Sequence, residues 1–411
     1  MALNKSITII TPNYYPEDTA IGYYTTDFAN NLVSNGFKVQ IITGFPYYPK
    51  WKIEEPYNGY SNYYKEIIDN ITIYRYKMYL PKKVTFFGRI KMMLSLLKGT
   101  LKNIRNINNT DLVICVVPFT LLIFPAYLLA KKNKSPLWLH VQDFEFDLAF
   151  ESGISQNIFS NFIKYFVIKL EAYLLNKATI ISSISYNMLK KIQFKTKKLN
   201  TFYFPNWVSS EKINPATAKK HRFFSENVFS ILYSGNIGQK QDWEVFIAVC
   251  EKIKDNDTIE IIVVGDGAFS DELKIKSRAF SFVKFYDPVP LNELNDLLCS
   301  ADLHFLFQKT AILDTVMPSK ILGMLASGKP SIVTGNKNSE VKTIFENANC
   351  GCFFNQNNCV EIYDMIQHLK NNPELRIKWG NLGRKYILEH FLESTVLKKT
   401  IEKINQVINN S

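Results

Sequence analysis

The chain has 411 residues, 46% of them hydrophobic and 21% charged, a balance that buries a large core, excludes disorder and suits two domains. Seventeen glycines, sixteen prolines and six cysteines exclude collagen-like, low-complexity and disulfide-scaffold chains. Lysine and arginine number 49 against 37 acids, and the surplus of +12 asks for an anionic partner: nucleic acid, a phosphorylated metabolite or lipid headgroups.

From the start, Met1 to Asn13 carries one lysine and a strand-like run, Ser6 to Thr11, with no small-residue cleavage site, so no signal peptide is expected. Asn13-Tyr14-Tyr15-Pro16-Glu17 then leads to Gly22, at the opening of a helix predicted over Tyr23 to Ser34. A glycine there either just starts the helix or lets a phosphate or sugar hydroxyl approach backbone N–H groups. A second strand, Lys38 to Thr43, is followed by Phe45-Pro-Tyr47-Tyr48-Pro-Lys-Trp-Lys52, interface-prone aromatics beside lysines. A third strand is Ile71 to Tyr76.

Asn70 to Thr110 contains no acid and carries a local charge of +9 through Arg75, Lys77, Lys82, Lys83, Arg89, Lys91, Lys98, Lys102 and Arg105. Within it Phe86, Ile90, Met93, Leu94, Leu97, Leu101 and Ile104 recur at spacings of three and four, one helical stripe, with Lys91, Lys98, Lys102 and Arg105 on an adjoining face. Phe87, Met92 and Leu96 widen the apolar surface beyond one packing stripe. A basic amphipathic helix near 84–105 that lies on an anionic membrane fits this pattern; the plainer reading is a core-packed helix with a solvated basic side.

Leu112 to Ala130 is uncharged and long enough to span a bilayer, but Pro118 and Pro125 break it. It reads as a buried strand, Leu112 to Val117, and a helix, Phe124 to Lys134. Strands follow at Leu137 to Val141 and Ala178 to Ser183. The first of these runs into Gln142-Asp143-Phe144-Glu145, where strand alternation puts His140 and Gln142 on one side and Asp143 on the other. Asp143, near the strand end, is the better general acid or base, and His140 reads as a satisfied core group.

The stretch from Phe204-Pro-Asn-Trp207 through His221 lacks apolar periodicity and is the expected domain boundary. Strands resume at Phe229 to Tyr233, Glu260 to Val264, Phe282 to Tyr286, Leu303 to Phe307 and Ser331 to Thr334, and the last forty residues read as helices. The alternation specifies an α/β protein of two Rossmann-like, doubly wound domains in tandem, whose ligands belong beyond the carboxyl ends of the strands, in a cleft the domains face.

Three turns of the second half are candidates for anion-binding chemistry; the second reads equally as a purely structural turn, and the plainer reading of the third is a helix N-cap with a solvated lysine. Ser234-Gly235-Asn236-Ile237-Gly238-Gln239-Lys240 puts two glycines and a lysine after a buried strand, without the Gly-Lys-Ser of a P-loop. Val264-Gly265-Asp266-Gly267 is a tight strand-to-helix turn that does not complete a dinucleotide fingerprint. Asp314-Thr315-Val316-Met317-Pro318-Ser319-Lys320 reads as a helix start whose amides, beside a lysine, make an anion site. The five histidines are scattered and Cys350-Gly-Cys352 lacks a second thiolate pair, so no metal site is expected.

Together these motifs resemble the retaining glycosyltransferases of family four, with the GT-B fold, over nearly the whole chain. They are most similar to a bacterial subgroup of colanic-acid fucosyltransferases and N-acetyl-L-fucosamine transferases of O-antigen and capsule assembly. The resemblance rests on Asn13-Tyr-Tyr-Pro-Glu17 with Gly22, Pro46-Tyr-Tyr-Pro49, Val141-Gln-Asp143, Phe204-Pro-Asn-Trp207, Tyr233 to Lys240 and Met317-Pro-Ser-Lys320 running into Leu325-Ala-Ser-Gly-Lys-Pro330.

The resemblance implies a 1–205 acceptor domain, a 206–385 nucleotide-sugar domain and a 386–411 C-terminal helix. Asp143, Lys240 and Lys320 take catalytic roles. The donor would meet Gly22, Gly235, Asn236, Gly238, Lys240, Gly265, Asp314, Thr315, Pro318, Ser319, Lys320 and Glu340. The acceptor would meet Tyr14, Tyr15, Glu17, Tyr47, Tyr48, Asp143 and Glu145. Phe86, Phe87, Ile90, Lys91, Leu94, Leu97, Lys98, Leu101 and Lys102 would meet the membrane.

The chain departs from the wider family in that its paired glutamates fall near Thr315 and Gly323, with Glu340 or Glu346 as substitutes for the second, and its phosphate-side arginine appears as Asn236. The implied reaction is retaining, metal-independent transfer of an L-fucose-type sugar, with no cofactor beyond the nucleotide-sugar donor. N-acetyl-L-fucosamine from UDP goes to a polyprenyl-diphosphate-linked glycan at the cytoplasmic face of the bacterial inner membrane. GDP-fucose is the alternative donor, a non-enzymatic nucleotide-binding scaffold the alternative of another class, and no nucleic acid is expected.

Overall fold

The computed structural model describes residues 5–18, 20–48, 50–81, 85–143, 158–196, 200–254, 258–310, 319–355 and 358–410; at 86 and 158–164 it describes the backbone alone. The apolar runs fold as two α/β units, one of residues 1–205 with 397–411, the other of residues 206–396.

In the first unit the elements are β1 (Ser6–Ile10), α1 (Ala20–Ser34), β2 (Lys38–Gly44), β3 (Tyr63–Ile68), β4 (Ile71–Tyr76), α2 (Phe86–Asn103), β5 (Leu112–Val117), α3 (Ile123–Asn133), β6 (Leu137–Val141), α4 (Ile158–Leu175), β7 (Ile180–Ser183), α5 (Tyr186–Thr196) and β8 (Thr201–Tyr203). Eight strands form one sheet in the order β3-β4-β2-β1-β5-β6-β7-β8, parallel except for β3. β1 and β5 to β7 are almost continuously buried because helices cover both faces of the sheet. β3 was not expected from the sequence. It joins β4 through Asp69-Asn70, both at positive φ (50° and 63°), the backbone a two-residue hairpin requires.

The direction of the crossovers separates the helices. Right-handed connections carry α1 to one face of the sheet and α2, α3, α4 and α5 to the other. On that second face α2 touches α3, α3 touches α4 and α4 touches α5, so the four lie side by side as one layer.

α2 corrects the expected stripe. Met92, Met93 and Leu96 are the residues that enter the core, whereas Leu94 is exposed and Ile90, Leu97 and Leu101 are half-buried. The sheet-facing row runs down through Gly99 and Thr100, whose hydroxyl lies 3.0 Å from the Tyr76 hydroxyl. The helix is thus both core-packed and apolar on its outer side, with Lys91, Lys98 and Lys102 exposed. Thr85 caps its start, accepting from the Gly88 amide at 3.1 Å.

The second unit contains β9 (Phe229–Ser234), α6 (Trp243–Cys250), β10 (Ile259–Val264), α7 (Ser270–Lys276), β11 (Val283–Tyr286), α8 (Leu291–Ser300), β12 (Leu303–Phe307), α9 (Lys320–Ala326), β13 (Ser331–Thr334), α10 (Glu340–Ala348), β14 (Gly351–Phe354), α11 (Cys359–Asn371) and α12 (Pro373–His390). α13 (Glu393–Asn409) starts in this unit and ends in the first. Its sheet is wholly parallel, in the order β11-β10-β9-β12-β13-β14. The order reverses between β9 and β12, the switch point where ligands of such sheets bind. Its core gathers Ile231, Tyr233, Phe246, Ile261, Phe305 and Phe307 from the sheet and α6. Among the described residues no helix is long and apolar enough to cross a membrane.

Gly99 sets how closely α2 approaches β4, since a Cβ there would run into the Tyr76 ring. Gly99→Ala overpacks that contact and should lower the unfolding free energy by about 1–3 kcal/mol in denaturant titration. An unchanged midpoint would show that the helix yields freely.

Candidate active site

At the switch point of the second unit three turns close on one another. The Gly235 amide donates to the Val264 carbonyl at 2.9 Å, and the Ile237 amide to the Asp266 carbonyl at 2.9 Å. Gly265, at φ 155°, has no room for a side chain, since a Cβ would overlap the Gly235 carbonyl. The Asn236 amide lies between Gly238 and Gly267, where added Cβ atoms would stand 2.6 and 2.7 Å from it. The turn after β9 is also tied to the turn after β12: the Lys309 amide donates to the Lys240 carbonyl at 3.1 Å, and Gln241 bridges Gln308.

Lys320, first residue of α9, reaches into this cluster. Its ammonium donates to the Tyr233 hydroxyl at 2.9 Å and lies 4.6 Å from the centroid of that ring. A Cβ on Gly235, whose φ is 132°, would come within 2.8 Å of the same Nζ. Tyr233, fully buried, passes its own proton to the Asn236 carbonyl at 2.7 Å, so the hydroxyl that receives the ammonium is fixed in direction. Enclosure lowers the Lys320 pKa from the usual 10.5 to about 8, because the charged form loses water that the phenol and ring replace only in part. An ammonium so held, next to a glycine that leaves the backbone uncovered, is suited to meet an incoming anion. Lys240 sits half-buried in the same turn as Gly235.

Other donor-side residues divide. Asp314, Thr315 and Pro318 lie outside the described residues. Ser319 is the N-cap of α9 but makes no side-chain capping bond. Gly323 faces α8, where a Cβ would stand 3.1 Å from Leu298, so that position points into packing. Glu346 is exposed and pairs with Lys342 at 3.3 Å one turn away, a surface ion pair. Glu340 opens α10 beyond the carboxyl end of β13 and is 8% exposed. Sequence reasoning missed Tyr233; its signal was a tyrosine on the last inward position of β9, two residues before the glycine.

In the first unit the turns after β1 and β2 are joined by a single carboxylate. Glu17 is buried and accepts from the Tyr47 and Tyr48 amides at 2.8 and 2.7 Å, the Tyr14 amide at 3.2 Å and the Asn13 side chain at 2.9 Å. That corrects the expectation that it meets an acceptor: its oxygens are saturated by its own chain. Burial raises its pKa, while the four donors oppose the rise. Gly22 is corrected too. A Cβ there would stand 2.5 Å from the Glu17 carbonyl, so the need for a glycine at this position comes from the chain's own turn.

Tyr14 and Tyr47 are buried, Tyr48 half-buried and Tyr15 exposed. The Tyr15 backbone is pinned at both ends, its amide donating to Thr26 Oγ1 at 2.9 Å and its carbonyl accepting from the fully buried Arg75. It thereby holds its ring out at the carboxyl edge of the sheet. Asp143 is half-buried just past β6, and Glu145 lies outside the described residues.

His140 is a core residue. Its Nδ1 meets Ser182 Oγ at 2.9 Å and its Nε2 meets the Gln142 amide at 3.0 Å; burial lowers its pKa to about 3, so it stays neutral. Trp138 donates to the same Ser182 oxygen at 2.7 Å. Among the described residues no three histidine, cysteine or carboxylate side chains gather as a metal cluster.

A family model described as Glycosyl transferases group 1 matches residues 216–386, which include all three turns. The putative colanic acid biosynthesis glycosyl transferase WcaI of Escherichia coli (strain K12) is 30% identical over 345 residues, 81% of this chain and 84% of that protein. The chain belongs to the group 1 glycosyltransferases. That decides for an enzyme over a non-enzymatic scaffold.

The fold of this glycosyltransferase is GT-B, as solved structures show. Sucrose-phosphate synthase from Thermosynechococcus elongatus matches with a TM-score of 0.71 at 12% identity, covering 99% of this chain and 100% of that one. Anabaena HepE, in complex with UDP and glucose, matches with a TM-score of 0.69 at 12% identity, over 98% and 100%.

Because folded Lys320 holds its proton less tightly than the unfolded chain does, folding releases a proton between about pH 8 and about pH 10.5. Its burial cost is therefore greatest below that window and fades as pH rises through it. Denaturant titrations at about pH 7.5 and about pH 10 should show the wild type gaining on Lys320→Met. Parallel behaviour would mean that the ammonium is not enclosed.

Proposed function

We propose that this glycosyltransferase moves an L-fucose-type sugar, N-acetyl-L-fucosamine from its UDP donor, onto an undecaprenyl-diphosphate-linked sugar during bacterial surface polysaccharide synthesis. The observation that carries the reading is the Lys320 ammonium held against Gly235 and Tyr233, at the switch point of the second sheet. The choice of pathway is supported by the kinship to a colanic acid glycosyl transferase. A UDP donor is supported by the complex of HepE with UDP and glucose. The sugar rests on the motif resemblance, which also gives GDP-fucose as the competing donor.

The chemistry follows from charge. Cleavage of the bond between the sugar's anomeric carbon and the diphosphate leaves negative charge on the departing oxygens, and Lys240 and Lys320 stabilise it there. The acceptor oxygen bonds to the same face of the anomeric carbon, and its proton passes to an oxygen of the leaving diphosphate. No enzymic nucleophile and no metal is required by that sequence. Donor anions also return the Lys320 proton, so nucleotide affinity falls as pH rises above about 8. Glu340 is the carboxylate for the ribose, in place of the packed Gly323 position.

Acceptor contacts are assigned to Tyr15, Tyr48, Asp143 and Glu145. Glu17, Tyr14 and Tyr47 hold that edge in shape. The acceptor's lipid places the enzyme at the cytoplasmic face of the inner membrane, docked through the outer side of α2, where Phe87 and Leu94 are 77% and 52% exposed beside Lys91 and Lys98.

Lys320→Ala should lower kcat at least about a hundredfold with an unchanged circular dichroism spectrum, while a panel of UDP- and GDP-sugars identifies the donor. Full turnover in that variant removes the role given to the lysine. Phe87→Ser with Leu94→Ser should weaken sedimentation with phosphatidylglycerol vesicles; undiminished binding rules out docking through α2.

A further inference from the structure

The layer formed by α2, α3, α4 and α5 has an outer surface that the sequence pattern of α2 alone does not reveal. α4 exposes Tyr165, Phe166, Leu170 and Tyr173, with Ile168 and Lys169 also exposed. α5 exposes Phe194 to 89%, the most exposed large apolar side chain described, beside exposed Lys190. α3, between α2 and α4, adds Phe124 and Lys131. Soluble surfaces do not ordinarily gather aromatic rings at this density.

Two further observations state what covers it. The lysines lie among the rings: Lys169 Nζ is 4.7 Å from the Tyr165 centroid, and Lys177 stands 4.2 Å from Tyr173 and 5.4 Å from Tyr127 of α3, which joins the two helices into one surface. In addition, the four helices contain one acid, Glu171. It is buried, paired with Lys195 and bonded to Thr120, so no carboxylate of these helices reaches the outer surface. Among the described residues of these helices the exposed face carries rings and lysines without acids, and such a face is complementary to an anionic, partly apolar partner. A second copy of the chain is disfavoured, because a twofold contact would set lysines against lysines.

We propose that the outer face of α3, α4 and α5 is a second docking surface for an anionic lipid bilayer, contiguous with α2. The inference rests on the membrane location given under the proposed function and extends the docking surface from one helix to the whole layer. The helix axes then lie in the plane of the bilayer, with tyrosines and lysines at headgroup level and Phe124, Leu170 and Phe194 toward the acyl chains. The sheet lies parallel to the membrane, and its carboxyl edge, where Tyr15 is presented, opens sideways along the lipid surface rather than away from it.

The test is sedimentation of the full chain with vesicles of phosphatidylglycerol and phosphatidylethanolamine, against phosphatidylcholine alone. Tyr165→Ser, Leu170→Ser, Tyr173→Ser and Phe194→Ser in one protein, all at exposed positions and checked by circular dichroism, should weaken binding to the anionic vesicles at least about tenfold with α2 intact. Lys169→Gln with Lys190→Gln should reduce the salt-sensitive part of binding and leave the rest.

Binding within twofold of wild type in both sets, with loss in the Phe87→Ser, Leu94→Ser protein, overturns this inference and leaves α2 as the docking helix. Loss in the new set with none in the α2 set sustains it and removes α2. A wild type that ignores anionic vesicles ends both, as does a dimer in sedimentation velocity that the serine variants dissolve, since the face would then be occupied by a second copy.

Discussion

The ammonium of Lys320 can be enclosed only because of what its neighbours lack. Gly235 and Gly265 have no side chains, so the turns after β9 and β10 approach one another to backbone contact, and the lysine is received by a phenol whose own proton is committed to Asn236. A side chain at Gly265 would separate the turns after β9 and β10. The parallel register of β9 with β10 and β12 is what brings those turns to one edge. Anion chemistry at this edge therefore depends on backbone geometry first and on the lysine second.

The first unit solves a different problem with the same economy. Its turns after β1 and β2 carry many tyrosines, and a buried carboxylate with four internal donors costs less than an uncompensated one. Glu17 and Arg75 each tie separate segments together, the latter joining Glu66 of β3 to the Tyr15 carbonyl. What remains outward is Tyr15, whose backbone is too constrained to drift. Similarly, the Trp138, Ser182, His140 and Gln142 bonds occupy a buried histidine fully, so it packs as a neutral ring against Phe204, 4.6 Å away.

The surplus of positive charge is organised by the same topology. Right-handed crossovers put four helices that lack exposed acids on one side of the first sheet, while α1, which carries Asp27, falls on the other. Segments separated by about a hundred residues in the chain, such as the rings of α2 and α5, thereby share one surface.

Much of this was legible in the sequence. Five strands, β4, β5, β6, β12 and β13, run over the residues their apolar patterns predict, and the strand-turn-helix reading of Leu112 to Lys134 is what the fold contains, because apolar runs bounded by proline or polar residues have no other stable place. The glycine turns and Lys320 were visible as motifs. β3, β8 and β14 were not: β3 is an antiparallel edge strand, β8 an edge strand of three residues, and β14 an edge strand that opens on a glycine. The roles of Glu17 and Gly22 were misread because a carboxylate's partners lie thirty residues away and a glycine's necessity depends on which backbone comes near it. The sequence by itself determined the alternation of elements, the sign of the charge and the chemical groups at the turns. Only the tertiary structure decided which of those groups face one another, which carboxylates are consumed internally and which side of α2 is left outside, since distances between non-local residues are set by sheet register and crossover hand and leave no local trace.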